Sequence, residues 1–439
     1  MSVLDIVQTI QQNVPIPEWK VKNGNIGTGV FVSSTVCDEW TKQEFIKNQT
    51  WCVFGTGEGY VYFELANRLV EAGHSPKNVF ESGMLVGYDI DKQSVNIIKE
   101  KVSNLFGIDK DSITVYNKDY FKLETTVKFD NFIINSPYLD GSKGNKFVSH
   151  EHTQVALNHW NRTGKAVSIT KSAPFMSNER GAKVIREQIF DKKNNTVKVR
   201  NLPDNAFDNA TVRTMYWLMD PNSDQNYLEF VDKKGKCIYS MPNDSLEYIF
   251  PSIIVKDIVE IVGTNKNLES YYKPQRTSDN KEVIESIDTI ILLNKGKPTI
   301  EKTNSQYFGY GNYGVVITFQ VNGDVNDAYR SHTHNSCIVY PTQSVKKDYA
   351  VIDCGNSELE AKSTQYQISH PLNAWIHAHT RTSDQSSRKP QFKFCCRVPT
   401  EEFYNLWPDG KPNVIEYFNY WKIPTNYQKE LLDWYAKYV

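Results

Sequence analysis

The sequence predicts an α/β fold, a doubly wound and mainly parallel sheet, in a first domain spanning residues 1–220, followed by a mixed α+β domain over residues 221–439. Three observations carry this expectation. Between about residue 50 and residue 220, short β-rich runs alternate with amphipathic helical patterns, the rhythm of strand–helix–strand units. A glycine-rich turn, Gly55-Thr-Gly-Glu-Gly59, joins the first of these runs to its helix. After Asp220-Pro-Asn-Ser-Asp224 the rhythm stops.

Taken in order, Trp51–Phe54 is the first strand, and beyond the glycines Val61, Tyr62, Leu65, Ala66 and Leu69 share one helical face that closes before Gly73. Met84–Tyr88 is the second strand. Asp89 follows it, then a helix with Val95, Ile98, Val102 and Leu105 at spacings of three and four. Ile113–Tyr116, Phe132–Ile134 and Ala166–Ile169 supply further strands, and Thr211–Leu218 reads as a late strand of the same sheet. In the second domain Tyr307–Val321, Cys337–Tyr340 and Phe392–Val398 are aromatic-rich strand candidates, and Tyr417–Val439 is a helical tail.

Composition narrows the function classes. Fifty Lys and Arg stand against 51 Asp and Glu, a formal net charge of -1, which excludes a wholly electrostatic nucleic-acid binder but leaves room for a local basic groove. Lys273, Arg276, Arg330, Lys346, Lys347, Arg381, Arg388, Lys389 and Lys393, interleaved with Tyr307, Tyr310, Tyr313 and Trp375, are candidates to line such a groove. Aromatics make up 13% of the chain, enough for stacking surface as well as core. No apolar run approaches the roughly 20 residues of a membrane helix, so the expectation is a soluble, cytoplasmic protein with no membrane partner.

Seven scattered cysteines, with only Cys395 and Cys396 adjacent, give neither a disulfide framework nor paired zinc-ligand spacing. His332, His334, His377 and His379 could be assembled with nearby cysteines into a zinc site. Alternate polar positions along a strand produce the same HxH pattern, and the reading without metal is preferred. His150 and His152, in FVSHEHTQ, read as solvated helix-start residues, with a role beside a substrate as the alternative. Asp353 with Glu360-Ala-Lys362 imitates a nuclease trio without a strand to frame it.

The chemistry-bearing residues arrive at successive strand ends. At the glycine turn, backbone without side chains can approach a ligand and helix N–H groups point outward. Asp89, at the tip of the second strand, can accept both hydroxyls of a ribose, and Asp119, in Asn117-Lys-Asp-Tyr-Phe121, can accept from an adenine amino group. Each alone is more often a turn or cap residue. Directly after the fourth strand comes Asn135-Ser136-Pro137-Tyr138. Asn offers a side-chain carbonyl, the Ser-Pro backbone a second acceptor and Tyr a ring face, which suits the orientation of an exocyclic NH2 group for attack on a methyl donor.

In these residues the sequence resembles the S-adenosylmethionine-dependent amino-group DNA methyltransferases, adenine-N6 enzymes of restriction-modification type above all, over approximately residues 24 to 218. The resemblance implies a Rossmann-like catalytic domain that binds S-adenosyl-L-methionine through Gly55, Gly57 and Gly59, through Asp89 and Ile90 of Gly87-Tyr-Asp-Ile-Asp91, and through Asp119 and Tyr120. Phe31, in Gly29-Val-Phe-Val-Ser-Ser34, matches a further donor-holding motif, and Phe207, in the segment from Leu202 to Ala210, matches the aromatic that packs against an extruded base. The motif order is the γ order, with residues 221–439 in the place of a DNA target-recognition domain. Double-stranded DNA is the implied partner, with room for a companion restriction enzyme. Two departures stand out: Val53-Phe54-Gly55-Thr56 occurs where the family carries an acidic residue, and Ser136 occurs where it carries proline. Cytosine-N4 methylation, protein glutamine methylation and a methyltransferase-like binding protein without activity are the competing readings.

Overall fold

The computed structural model describes residues 30–136, 139–140, 146–171, 182–202, 214–232, 235–242, 250, 252–263, 272–274, 287–291, 299–303, 312–318, 336–345, 349–380, 392 and 394–438. The chain divides into two units, Met1–Glu247 and Tyr248–Val439.

In the first unit, helices α1 (Val30–Cys37) and α2 (Lys42–Ile46) precede the sheet. Thr41 and Glu44 form a reciprocal capping box that starts α2. The strands are β1 (Trp51–Phe54), β2 (Leu85–Asp89), β3 (Val115–Asn117), β4 (Asn131–Asn135), β7 (Ala166–Lys171), β8 (Thr196–Asn201), β9 (Thr214–Met219), β10 (Tyr227–Val231) and β11 (Cys237–Pro242), with a two-residue pair β5 (Leu139–Asp140) and β6 (Lys146–Phe147) after β4. The sheet order is β11-β10-β8-β9-β7-β4-β1-β2-β3. Strands β3, β2, β1, β4 and β7 run parallel, and β9 lies antiparallel between β7 and β8. This is the α/β sheet the sequence predicts.

Burial explains the apolar runs. All four residues of β1 are buried, as are the first four of β4, because central strands are covered on both faces. Trp51, Val53, Ile133 and Val167 meet Tyr62, Leu65 and Leu69 of α3 (Tyr60–Glu71) and Val95, Ile98 and Val102 of α5 (Lys92–Phe106) in one core, to which α4 (Pro76–Glu81) adds Val79 and Phe80. Leu105, assigned by its spacing to the same face as Val95, is exposed.

From β1 the chain first builds β2 and β3 on one side, then returns to place β4 on the other. That reversal is a topological switch point, and the carboxyl ends of β1 and β4 border a crevice. Helices α6 (Ser149–Asn158) and α7 (Ala182–Ile189) follow β6 and β7. The sheet also extends past the boundary expected at residue 220. Strand β10 pairs parallel with β8 and antiparallel with β11, so this segment belongs to the first unit and the division falls after Glu247.

The second unit is mixed α+β. It begins with α8 (Ile253–Val262) and contains a four-stranded sheet, β12-β18-β15-β16, built from Tyr272–Pro274, Tyr349–Asp353, Gly314–Thr318 and Cys337–Val339. A three-stranded sheet joins β14 (Thr299–Thr303), β13 (Ile287–Ile291) and β17 (Gln343–Val345). Helices α9 (Glu358–Ser369), α10 (Pro371–Thr380), α11 (Thr400–Leu406), α12 (Val414–Tyr420) and α13 (Thr425–Tyr438) complete it. The strand expected at Phe392–Val398 does not form among its described residues. Instead Asn373 holds this stretch to α10, its side chain donating to the carbonyl of Cys396 and accepting from the Cys396 N–H, each at 2.8 Å. No helix among the described residues is long and apolar enough to cross a membrane.

Candidate active site

The turn after β1 depends on glycine. Gly55, Gly57 and Gly59 all have positive φ, at 72°, 54° and 90°. At Gly59 space is restrictive as well, since a Cβ there would lie 2.8 Å from the Phe63 ring and 2.9 Å from Ile98. Gly87 in β2 has the same purpose at close range: a Cβ would sit 2.6 Å from the Thr56 methyl. The turn therefore lies directly on β2, with the N–H groups of Gly55 and Thr56 donating to the Tyr88 carbonyl at 2.9 and 3.1 Å.

Asp89 ties this turn to the start of α5. One carboxylate oxygen accepts from Gly57 N–H at 2.7 Å and the other from Asp91 N–H at 2.8 Å. Asp91 in turn caps α5 by accepting from the N–H groups of Gln93 and Ser94. Ile90 is 73% exposed beside it, an apolar side chain turned to solvent at a strand end.

Asp119 has the bland role that its type suggests: it caps the short 3-10 turn Tyr120–Lys122, accepting from Phe121 N–H at 3.0 Å. Tyr120 is not at the surface of the crevice. Its ring is 6% exposed and packs edge-on against Phe54 at 5.4 Å, while burial, then Asp89 and Asp119, push its hydroxyl far above the usual phenol range. The Tyr120 hydroxyl instead hydrogen-bonds to Nδ1 of His152, in the first turn of α6. His152 also meets the Phe121 ring edge-on at 4.7 Å. The solvated role expected for this histidine is thus corrected: α6 docks on the loop after β3. The sequence contained no spacing signal for it, because the two residues lie 32 positions apart.

Asn135 ends β4 beside the glycine turn, its backbone carbonyl oxygen 4.0 Å from where a Gly55 Cβ would stand. Strand pairing of β1 with β4, Phe54 opposite Ile134, sets that approach. Ser136 is buried, and its hydroxyl meets that of Thr153 in α6 at 3.4 Å. The structure therefore brings together Gly55, Gly57, Gly59, Asp89, Ile90, Asn135 and Ser136 at one end of the sheet. Pro137, Tyr138 and Phe207 lie outside the described residues, as does the side chain of Phe31 in α1.

Sequence reasoning passed over Glu58 and Thr56. In the glycine turn, Glu58 Oε1 and Thr56 Oγ1 are buried atoms without a hydrogen-bond partner among the described residues. The acidic residue absent from the end of β1 is explained by packing: Phe54 is wholly buried among Tyr88, Tyr120, Phe129 and Phe132. Glu58 is the carboxylate that the turn itself carries.

In the second unit, His377 and His379 lie on helix α10 and not on a strand. Positions two apart on a helix point about 200° from each other, so the pair cannot chelate one ion. His332 and His334 lie outside the described residues, and among those described no cluster of three or more His, Cys, Asp or Glu could hold a metal. Trp375, proposed for a phosphate groove, is 1% exposed in α10 and belongs to the core, and the basic residues interleaved with it lie outside the described residues except Lys273 in β12.

No protein-family model matches the chain, and no curated protein matches it. Among solved structures, the type I restriction-modification methyltransferase subunit from Streptococcus thermophilus is 15% identical, with a TM-score of 0.36 over 46% of this chain and 46% of that one. The type IIG restriction endonuclease BpuSI is 11% identical, with a TM-score of 0.47 over 98% of this chain and 63% of that one. The magnesium protoporphyrin IX methyltransferase from Synechocystis with bound S-adenosylmethionine is 12% identical, with a TM-score of 0.33 over 49% of this chain and 91% of that one. The match thus spans under half of the first and under two thirds of the second, a partial likeness at low identity.

Proposed function

We propose that the first unit is a DNA methyltransferase that uses S-adenosyl-L-methionine, with adenine N6 as the acceptor. The observation that carries this reading is the meeting of the glycine turn, Asp89 and the Asn135–Ser136 strand end at the switch point in the parallel part of one sheet, with the Asn135 backbone carbonyl 4.0 Å from the Gly55 Cβ position. Ligands of open α/β sheets bind at that place.

The residues fit the donor. Asp89 is the strand-end carboxylate proposed to accept ribose hydroxyls, exposed Ile90 offers an apolar face to a base, and the Thr56 and Glu58 oxygens without hydrogen-bond partners suit the hydrogen-bond donors of an amino-acid moiety. When bound, S-adenosylmethionine supplies an electrophilic sulfonium methyl group. Asn135 accepts from the target amino group and, with the backbone after it, aims the nitrogen lone pair, so the chain's contribution is proximity and orientation. Tyr138 and Phe207 are the ring faces proposed for a base swung out of the helix, because a stacked, paired base cannot present its amino group to strand ends. The second unit, Tyr248–Val439, is proposed to read the DNA sequence, and a restriction enzyme is the proposed companion.

Duplex DNA incubated with the protein and labelled S-adenosylmethionine, then digested to nucleosides, tests the reading. N6-methyladenine is the expected product. N4-methylcytosine alone refutes the base assignment, label in protein glutamine refutes the substrate class, and absence of both transfer and heat of donor binding by calorimetry refutes the enzyme.

A further inference from the structure

A line of buried hydroxyls runs under the acceptor end of β4. Ser136 Oγ lies 3.4 Å from Thr153 Oγ1, and Thr153 Oγ1 lies 3.0 Å from Ser168 Oγ, the three residues being 2%, 0% and 0% exposed. They come from three elements: the residue after β4, the first half of α6 and the middle of β7. Ser168 is fixed by strand pairing with Ile134 on one side and Trp217 on the other. Thr153 is therefore anchored on the sheet and reaches back to the residue that follows Asn135. The same helical turn docks on the other side of the crevice, where His152 meets the Tyr120 hydroxyl and the Phe121 ring.

We infer that Thr153 is a positioning residue for the acceptor site: through the Ser136 hydroxyl it sets where Asn135 stands relative to the glycine turn. The inference rests on the methyl-transfer reading above. A proline at position 136 would stiffen the strand end through its ring, with φ fixed and no hydroxyl to offer. Serine gives up that ring, and the hydroxyl line supplies the constraint by another route. Each hydroxyl has one proton to donate and two lone pairs, so Thr153 in the middle can accept from one neighbour while it donates to the other. The Ser136 link is long for an O–H to O contact, so it holds the strand end less stiffly than Ser168 holds Thr153.

The test compares Thr153→Val, Thr153→Ser, Ser136→Ala and the double variant Thr153→Val with Ser136→Ala in the full chain. Single-turnover transfer from labelled S-adenosylmethionine to duplex DNA is read alongside the calorimetric Kd for the donor. Thr153→Val and Ser136→Ala should each slow transfer by about five- to tenfold, the loss of one buried hydrogen bond, with donor Kd within about twofold of wild type. The double variant should be no slower than the worse single one, since both break the same link. Thr153→Ser keeps the hydroxyl and should restore at least half of the wild-type rate. Should Thr153→Val fail to fold, Ser168→Ala removes the anchor from the other end with the same expected rate loss. Multiplying losses in the double variant, donor affinity falling in step with rate, or no rescue by serine would each overturn the inference. A wild-type chain that transfers methyl normally beside an unaffected Thr153→Val refutes this inference alone, whereas a wild-type chain with no transfer refutes the parent reading and this one together.

Discussion

Replacing Asp89 by Asn tests the donor side of the site by the smallest change available. The wild-type carboxylate meets two N–H groups at once, Gly57 at 2.7 Å and Asp91 at 2.8 Å, one on each oxygen. An amide of the same shape has one acceptor oxygen, so its NH2 group must face one of those N–H groups donor to donor. Whichever way it turns, one charge-assisted bond inside the protein is lost, about 1.5–3 kcal/mol of folding stability. The proposed bonds from ribose hydroxyls to the charged carboxylate are of the same size, about 1.5–3 kcal/mol, so at 1.4 kcal/mol per tenfold their loss should weaken donor affinity roughly 10- to 100-fold by calorimetry. Asp91→Ala is the matched control. It removes the cap of α5, about 1 kcal/mol of folding stability, while leaving donor Kd within about twofold. An Asp89→Asn protein that binds S-adenosylmethionine as tightly as wild type, or an Asp91→Ala protein that loses as much affinity, refutes the assignment of Asp89 as a donor ligand.

Asn135→Ala should slow methyl transfer at least about 100-fold while leaving donor Kd within about twofold, because it removes an acceptor aimed at the target amine; near-normal single-turnover rates would contradict its role. Gly59→Ala should cost roughly 2–4 kcal/mol in denaturant unfolding, since its φ of 90° coincides with contacts at 2.8 and 2.9 Å. Gly57→Ala, with φ of 54° and nothing within 4 Å, should cost only about 1–2 kcal/mol, and equal costs would show that the packing around Gly59 gives way. In the second unit, burial pushes the His370 ring down to about 3, and its Nδ1 accepts the Leu372 N–H at 3.1 Å, so the folded ring is neutral. The unfolded ring, near 6.5, binds its proton first, so stability is full above about pH 6.5 and falls as pH drops toward 3. Between pH 6.5 and 4.5 the loss should approach about 2.3 kcal/mol, and His370→Gln should flatten it; an unchanged pH slope in that variant would exclude His370 as the cause.

Much of the sheet was legible because its strands are buried on both faces. Runs such as Trp51–Phe54 and Phe132–Ile134 stand out whatever their neighbours do, and β1, β2, β4 and β9 lie within a residue or two of their expected places among the described residues. The extension of the sheet by β10 and β11 was not legible. Asp220-Pro-Asn-Ser-Asp224 looks like a linker, and the sequence has no means of showing that Tyr227–Val231 pairs back onto β8. The Phe392–Val398 stretch was misread for the converse reason: it is apolar and buried, but Asn373 of α10 takes the backbone groups of Cys396 that a strand partner would have taken. Apolar runs report burial, and only pairing makes them strands.

The two departures from the pattern that the sequence resembles show why residue type alone misjudges a site. Phe54 stands where the resembled pattern has an acid, yet it is the hub on which Tyr88, Tyr120, Phe129, Phe132 and His159 pack, so a carboxylate at that point would be buried among rings and would cost several kcal/mol. The packing under β1 and the acid are alternatives, and this chain has the packing, with Glu58 carried four residues later in the turn. Ser136 replaces proline, and its hydroxyl leads through Thr153 to Ser168. In each case the altered residue reads as a weakened motif when compared with a pattern, and as one side of a contact when its neighbours are known. Thr153 and Ser168 lie 17 and 32 residues beyond Ser136 and are unremarkable in sequence; the parallel register of β4 with β7 and the return of α6 between them are what bring the three hydroxyls into one line.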